Sequence, residues 1–265
     1  MVSGGIHAIK RSDIGAIVRF IKNTLNRSGC SGLIVGVSGG LDSAVTLKLC
    51  ADAVGPRRVT AIFMPSAVTP SSDFDLTSSL SRSWGVGHET IGIQPAADAF
   101  AEILSLSADD HIGMGNVLSR CRMTVLYSRA REMNCLVVGT SNRSECMMGY
   151  FTKFGDGASD MLPLADLYKT QVRQIAEIIG IPQEIIEKVP TAGLWNGQTD
   201  EGEFGIAYRD LDIVLNGIDK GKSDGEIAEE TGTCIAKVSE VREWVGKTEH
   251  KRLPAPHPDI TLSDP

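Results

Sequence analysis

The chain has 265 residues, with 26 lysines and arginines against 33 aspartates and glutamates and a formal net charge of -7. That length buries a full core without a partner, and the acidic balance argues against a broad nucleic-acid footprint while leaving room for a local basic pocket. No apolar run approaches the ~20 residues that span a bilayer, and the opening MVSGGIHAIKRSD lacks the apolar centre of a signal peptide, so a cytoplasmic protein without a membrane or nucleic-acid partner is expected. The six cysteines, at 30, 50, 121, 135, 146 and 234, form no C-x-x-C pair and suggest neither a zinc ribbon nor a dithiol redox motif. Without repeat, low-complexity tract or linker, 1–265 reads as one domain with a helical C-terminal region.

In chain order, Ile14, Ile17, Val18, Ile21 and Leu25 recur at helical spacing and stop at Gly29. LIVGV (33–37) has no polar face, as in a strand buried on both sides of a parallel sheet. A helix from Asp42 to Val54 follows. VTAIFM (59–64), ETIGI (89–93) and CLVVG (135–139) read as further strands, with helices near 73–84, 96–105 and 115–133 between them. The alternation implies a doubly wound parallel sheet with helices on both faces. Later, GYFTKFGDGASD (149–160) has no regular period, Lys169 to Ile179 is an amphipathic helix, and 190–203 is irregular again.

Between the first strand and its helix stands GVSGGLDS (36–43). Two glycines at such a turn let a ligand approach the main chain, and the helix N-terminus favours an anion there. The nucleotide loop G-x-x-x-x-G-K-[ST] would put a lysine after the glycines. Here Asp42 stands instead, and an acid beside phosphates is electrostatically sensible with Mg2+ between them. In a doubly wound sheet the segments after strands border one crevice, so TSNRSE (140–145) belongs beside this loop.

SGGLDS, GNVLSRCRM (115–123), GTSNRSE (139–145), GYFTKFGDGASD, LYKTQVRQIA (167–176), PTAGLW (190–195), GQTDEGEFG (197–205) and EHKR (249–252) together resemble the ammonia-dependent NAD synthetases, within the wider ATP pyrophosphatase group. The resemblance implies an adenine nucleotide alpha-hydrolase-like, Rossmann-like fold. It implies that the nicotinate carboxylate of deamido-NAD+ attacks the α-phosphate of ATP, and that ammonia then displaces AMP from the acyl adenylate. It places Gly36, Val37, Ser38, Gly39, Gly40, Leu41, Asp42, Ser43, Thr140, Lys169 and Thr191 on ATP. Arg120, Lys153, Asp160, His250 and Lys251 fall on deamido-NAD+, and Asp42 and Glu145 on Mg2+. Asp42, Lys153 and Lys169 are the groups assigned to catalysis, the two lysines supplying the charge that the glycine loop lacks. A homodimer with substrate near the subunit interface is also implied.

The chain departs from the family where TSNRSE replaces a TDHAAE-like stretch and where Ser119 replaces a common alanine. Arg120 and Arg122 point in different directions on one helix, so one of them reaches substrate. Tyr150, Phe151 and Phe154 suit either ring stacking or packing. Glutamine-dependent members carry an additional amidase domain, so free ammonia is the expected nucleophile, and both irregular stretches are expected to close over an adenylate that water would hydrolyse. A tRNA thiolase uses the same SGG-x-DS loop. From another class, GEIAEETGTCIAKVSEVREWV (225–245) resembles a helix-turn-helix and would suit a nucleotide-sensing regulator, although its charges balance at seven basic and seven acidic residues between Lys220 and Arg252.

Overall fold

The computed structural model describes residues 5–107, 109–195 and 197–258. Strands β1 (Gly32–Val37), β2 (Val59–Phe63), β3 (Gly87–Thr90) and β4 (Cys135–Val138) pair in parallel in the order β3-β2-β1-β4. Among the described residues the helices are α1 (Arg11–Ser28), α2 (Leu41–Val54), α3 (Ser71–Trp84), α4 (Gln94–Leu104), α5 (His111–Met133), α6 (Arg143–Met148), α7 (Lys169–Ile179), α8 (Gln183–Ile186), α9 (Asp200–Phe204), α10 (Tyr208–Asp219), α11 (Asp224–Thr231), α12 (Ile235–Lys247) and α13 (Glu249–Arg252).

The alternation of side chains along β1 separates two cores. Leu33, Val35 and Val37 join Ile21 and Leu25 of α1, Val45 and Leu49 of α2, and Val172 and Ile175 of α7. Ile34, with Ile62 and Val137, packs on the other face against Ala97 of α4 and Val117, Leu118 and Cys121 of α5. Each fully buried aliphatic side chain contributes about 1.5–3 kcal/mol, which is why a strand without a polar face settles at the centre of the sheet. The chain steps outward from β1 to β3 and then returns to β4 on the other side of β1. That reversal opens a crevice beyond the carboxyl ends of β1 and β4.

The ETIGI strand is displaced. β3 begins at Gly87 and ends at Thr90, while the Ile91 and Ile93 amides still donate to the Phe63 and Pro65 carbonyls, and Ile93 turns into the core as α4 begins. Helix α5 starts at His111 because the Asp110 carboxylate accepts from the Gly113 amide at 2.8 Å. The stretch 190–203 is irregular only to Thr199, which caps α9.

A third core lies in the C-terminal region. Leu211, Val214 and Leu215 of α10 pack with Ile227 of α11, Val238, Val241 and Val245 of α12, and Met147 and Met148 of α6. The two helices of the 225–245 tail turn at Gly232 and thus contribute apolar side chains to this core, so the helix-turn-helix reading gains no support. The region is tied to the sheet by Asp212, which is fully buried. It accepts from the Ser144 hydroxyl at 2.5 Å and the Thr170 amide at 2.8 Å, and the Ser144 oxygen accepts from the Lys169 amide at 2.9 Å. This carboxylate therefore stands at the start of α7, where the helix dipole favours it. Asp212→Ala would strand buried donors and is expected to lower stability by about 2–3 kcal/mol, roughly 5–10 °C in Tm, within a single transition if 1–265 melts as one domain. Thermal denaturation followed by circular dichroism measures both.

Candidate active site

A cavity of about 1070 Å³ opens at the crevice, lined by residues that follow β1 and β4 and by the 186–201 segment. Its floor is the glycine loop. Gly39 has φ +76°, a conformation that side chains disfavour, and a Cβ there would lie 3.2 Å from the Asp73 side chain. The Ser43 hydroxyl donates to the Gly40 carbonyl at 3.0 Å and accepts from the Ser38 amide at 3.3 Å, while the Ser38 oxygen accepts from the Gly40 amide at 3.2 Å. Gly40 caps α2 without a side-chain bond, so the first-turn amides of a 14-residue helix face the cavity side free of a side-chain cap.

Against the loop lies a cluster of charges from three distant segments. The Lys169 ammonium, at the start of α7, donates to Asp42 Oδ2 and, at 3.3 Å, to Glu145 Oε1. Asn142 organises both carboxylates. Its amide nitrogen Nδ2 donates to Asp42 Oδ1 at 2.9 Å, its Oδ1 accepts from the Glu145 backbone at 3.0 Å, and its own backbone donates to Glu145 Oε2 at 3.2 Å. Asp200 stands nearby and is 3% exposed. Its Oδ2 accepts from the Tyr208 hydroxyl at 2.9 Å, and its Oδ1 is buried without a hydrogen-bond partner.

Burial alone lowers the pKa of the Lys169 ammonium, but Asp42 and Glu145 outweigh it and hold the group firmly charged. Burial, reinforced by the Asp42 carboxylate, raises Glu145, and burial raises Asp200. The cluster thus gathers more carboxylate oxygen than one ammonium neutralises, a surroundings suited to a hard cation. Among the described residues no group of three His, Cys, Asp or Glu side chains has metal-holding geometry, so any metal here would draw on two carboxylates and on substrate oxygens.

Of the residues singled out in the sequence, Gly36, Val37, Ser38, Gly40, Leu41, Asp42, Ser43, Thr140, Glu145, Lys169, Thr191 and Lys251 line the cavity. Gly39 is turned toward Asp73. Four others do not line it. Lys153 donates from Nζ to the His250 carbonyl at 2.7 Å, and Arg120 reaches the Lys153 carbonyl at 3.4 Å, which makes a separate cluster on the outer side of α5. Asp160 is committed to the sheet edge, accepting from the Val137 amide at 2.7 Å and from the Tyr127 hydroxyl at 3.4 Å. Of Arg120 and Arg122, the second lines the cavity, with Nε donating to the Met64 carbonyl at 3.2 Å.

Several lining residues carry no signal of their own in the sequence. Asp200 lies within GQTDEGEFG, yet its neighbour Tyr208 is brought there only by the turn after α9. Lys188 meets Asp73 across 115 positions, and Asp156 accepts from the Ser119 hydroxyl at 2.6 Å while its amide donates back at 2.8 Å. Ser119, one of the departures noted in the sequence, therefore anchors the 149–160 loop. The other departure is also explained: Asn142 links Asp42 to α6, and Arg143 pairs with Asp219 of α10. Tyr150 packs edge-on to Phe204 at 4.7 Å, Phe151 lies under Lys251, and Phe154 is 67% exposed with φ +61°.

The two irregular stretches differ. Gly149 and Phe151 accept from Lys251 at 2.7 and 2.9 Å, and the Thr152 amide donates to Asp156 at 2.9 Å, so this loop is braced. Thr191 to Gly193 are exposed, and the Leu194 amide donates locally to Gln198 at 2.8 Å, whereas Gln198 Nε2 ties the end of the segment to the Tyr150 hydroxyl at 3.3 Å. We propose that closure over substrate is confined to the exposed part of this segment, 191–195. Amide hydrogen exchange at 191–195 is expected to slow several-fold when ATP and deamido-NAD+ are both present, while 151–157 is protected throughout. Equal exchange in 191–195 with and without substrates would remove the lid.

The NAD synthase family model matches residues 13–255. The NH(3)-dependent NAD(+) synthetase of Thermococcus kodakarensis is 45% identical over 243 residues, covering 91% of this chain and 94% of that protein. Among solved structures, NMN synthetase from Francisella tularensis superposes with TM-score 0.82 at 36% identity, over 94% of this chain and 98% of its own. The NH3-dependent NAD synthetase from Campylobacter jejuni follows at TM-score 0.79 and 25% identity, over 96% and 100%. With a glycine loop in place of a lysine-bearing one, a charge cluster at the switch point and relatives aligned along nearly their whole length, the chain belongs to the NAD synthase family.

Proposed function

We propose that this chain is an ammonia-dependent NAD+ synthetase: a ligase that amidates deamido-NAD+ at the cost of ATP, through an acyl adenylate, releasing AMP and pyrophosphate. The observation that carries this reading is the alignment, at 40–45% identity, with NH(3)-dependent NAD(+) synthetases over nearly the full length of both. ATP is the co-substrate, and its triphosphate fits the glycine loop and the α2 N-terminus.

A carboxylate is a poor electrophile, so the nicotinate must first be joined to a good leaving group. Its oxygen bonds to the α-phosphorus, the bond to the bridging oxygen breaks, and the electron pair leaves with pyrophosphate. Stabilising that developing charge is the main task of the site; the loop amides are read as serving it directly, and Lys169, paired with Asp42 and Glu145, as adding positive charge beside them. Ammonia then bonds to the activated carbonyl carbon, a proton is lost, and AMP departs. No side-chain nucleophile is required. Thr140 is read as contacting the adenosine end and Thr191 the phosphates, with 191–195 keeping water from the adenylate.

Asp42 and Glu145 are read as the Mg2+ ligands. Their oxygens already converge on one cation, and the unpartnered Asp200 oxygen adds negative potential beside them. Mg2+ bound there would neutralise charge on the phosphates. Arg120, Lys153, Asp160 and His250 stand outside the cavity, so their reading as dinucleotide contacts is tied to a homodimer with substrate near its interface. What supports the dimer is an unpartnered apolar surface: Phe100, Ile103 and Leu104 of α4 are 52, 75 and 56% exposed, and α4 packs on the helix that carries Arg120. The similarity to an NMN synthetase favours a second reading of the substrate, the shorter deamido mononucleotide, which would not need those four residues.

Purified protein with ATP, Mg2+ and ammonium is expected to form NAD+ from deamido-NAD+ faster than it forms NMN from the deamido mononucleotide. Glutamine freed of ammonia should support little of either. Faster turnover of the mononucleotide would replace the first substrate with the second. Asp42→Asn is expected to lose at least about 100-fold in kcat with a Tm near wild type, whereas a variant that unfolds would make Asp42 a structural residue.

A further inference from the structure

The glycine loop lacks the lysine that ordinary nucleotide loops place after their glycines, and the two cations first assigned to replace it are engaged elsewhere. Lys153 lies outside the cavity on the His250 carbonyl, and Lys169 sits between Asp42 and Glu145. A third lysine does touch the loop. Lys188, which follows α8 and lines the cavity, donates from Nζ to Asp73 Oδ1 at 2.5 Å and to the Gly39 carbonyl at 3.4 Å.

Asp73 makes that contact informative. It belongs to the first turn of α3, is 7% exposed, and is so close to the loop that a Cβ on Gly39 would lie 3.2 Å from it. A buried carboxylate against an anion cradle repels the ligand unless a cation stands between them. Lys188 stands there, and with a side chain 31% exposed on a flexible four-carbon stem it has room to turn. Two other cavity cations are held away from the loop backbone: Arg122 at Met64, and Lys251 at Gly149 and Phe151.

We propose that Lys188 is the phosphate cation of the glycine loop, standing between Asp73 and the β- and γ-phosphates of ATP and holding the pyrophosphate that forms. The bond that breaks at the α-phosphorus gives its electron pair to pyrophosphate, so the step asks no proton of Lys188. The inference rests on the reading of the glycine loop as the triphosphate site.

Product inhibition by inorganic pyrophosphate, with AMP inhibition as the internal control, tests it in the NAD+-forming assay. Lys188→Met is expected to weaken pyrophosphate inhibition about 10- to 100-fold, the loss of one charge-assisted hydrogen bond, while AMP, which lacks both distal phosphates, inhibits as before. Lys188→Arg should recover part of the effect. Unchanged pyrophosphate inhibition in Lys188→Met would overturn the proposal. So would its recovery in Lys188→Met/Asp73→Asn, which would leave Lys188 as no more than a screen for Asp73. Where Lys188→Met does not fold because Asp73 is left unpaired, Lys188→Gln/Asp73→Asn compared with Asp73→Asn alone carries the test, and the double variant should show the weaker inhibition. A wild-type enzyme insensitive to pyrophosphate would instead sink the reading of the loop itself.

Discussion

The Lys169 ammonium between Asp42 and Glu145 is the contact on which the site depends. It joins the first turn of α2, the short helix α6 after β4, and the start of α7, three segments spread over 127 positions. Taking an ammonium and two carboxylates out of water costs several kcal/mol per charge unless each is paired and hydrogen-bonded. The surrounding structure meets that demand. Asn142 bonds both carboxylate-bearing segments, Ser144 and Asp212 fix the α7 N-terminus that carries the lysine, and the C-terminal helices cover the whole.

This arrangement separates the two halves of a nucleotide site. The anion cradle is local, made of backbone amides at a strand-to-helix turn, whereas its cations arrive from elsewhere in the chain. A loop that carries its own lysine binds phosphate as one unit. Here the positive charge depends on how α7 and the segment after α8 are docked, so on the proposed reading the packing of the C-terminal region bears on phosphate binding. The same logic explains why Asp73 and Lys188 are found together: a carboxylate beside a phosphate cradle is tolerable only with a mobile counter-charge.

Much of the candidate site was legible because its parts are contiguous. GVSGGLDS folds into the loop its glycines and serines imply, and TSNRSE lies across the crevice from it because both follow strands on either side of the reversal. Arg120, Lys153, Asp160 and His250 are a different matter. All four lie in motifs that carry the resemblance, yet Asp160 spends its carboxylate on the edge of β4, and the other three bond to one another's segments outside the cavity. A motif fixes the spacing along the chain, not the direction in which a side chain on a helix or loop edge points. For the same reason Arg122, two positions from Arg120, enters the cavity instead.

By itself the sequence determined the elements and their layering, because strand and helix periods and the double-sided burial of LIVGV depend on near neighbours and on water alone. It also determined the glycine turn before a helix, whose own backbone amides make the proposed anion site. Only the tertiary structure decided the pairings: Lys169 with Asp42 and Glu145, Lys188 with Asp73, Asp200 with Tyr208, and Ser119 with Asp156. Such pairs join segments through space, and the energy that selects them is the desolvation of charges and polar groups, which exists only once the surrounding helices have closed over them.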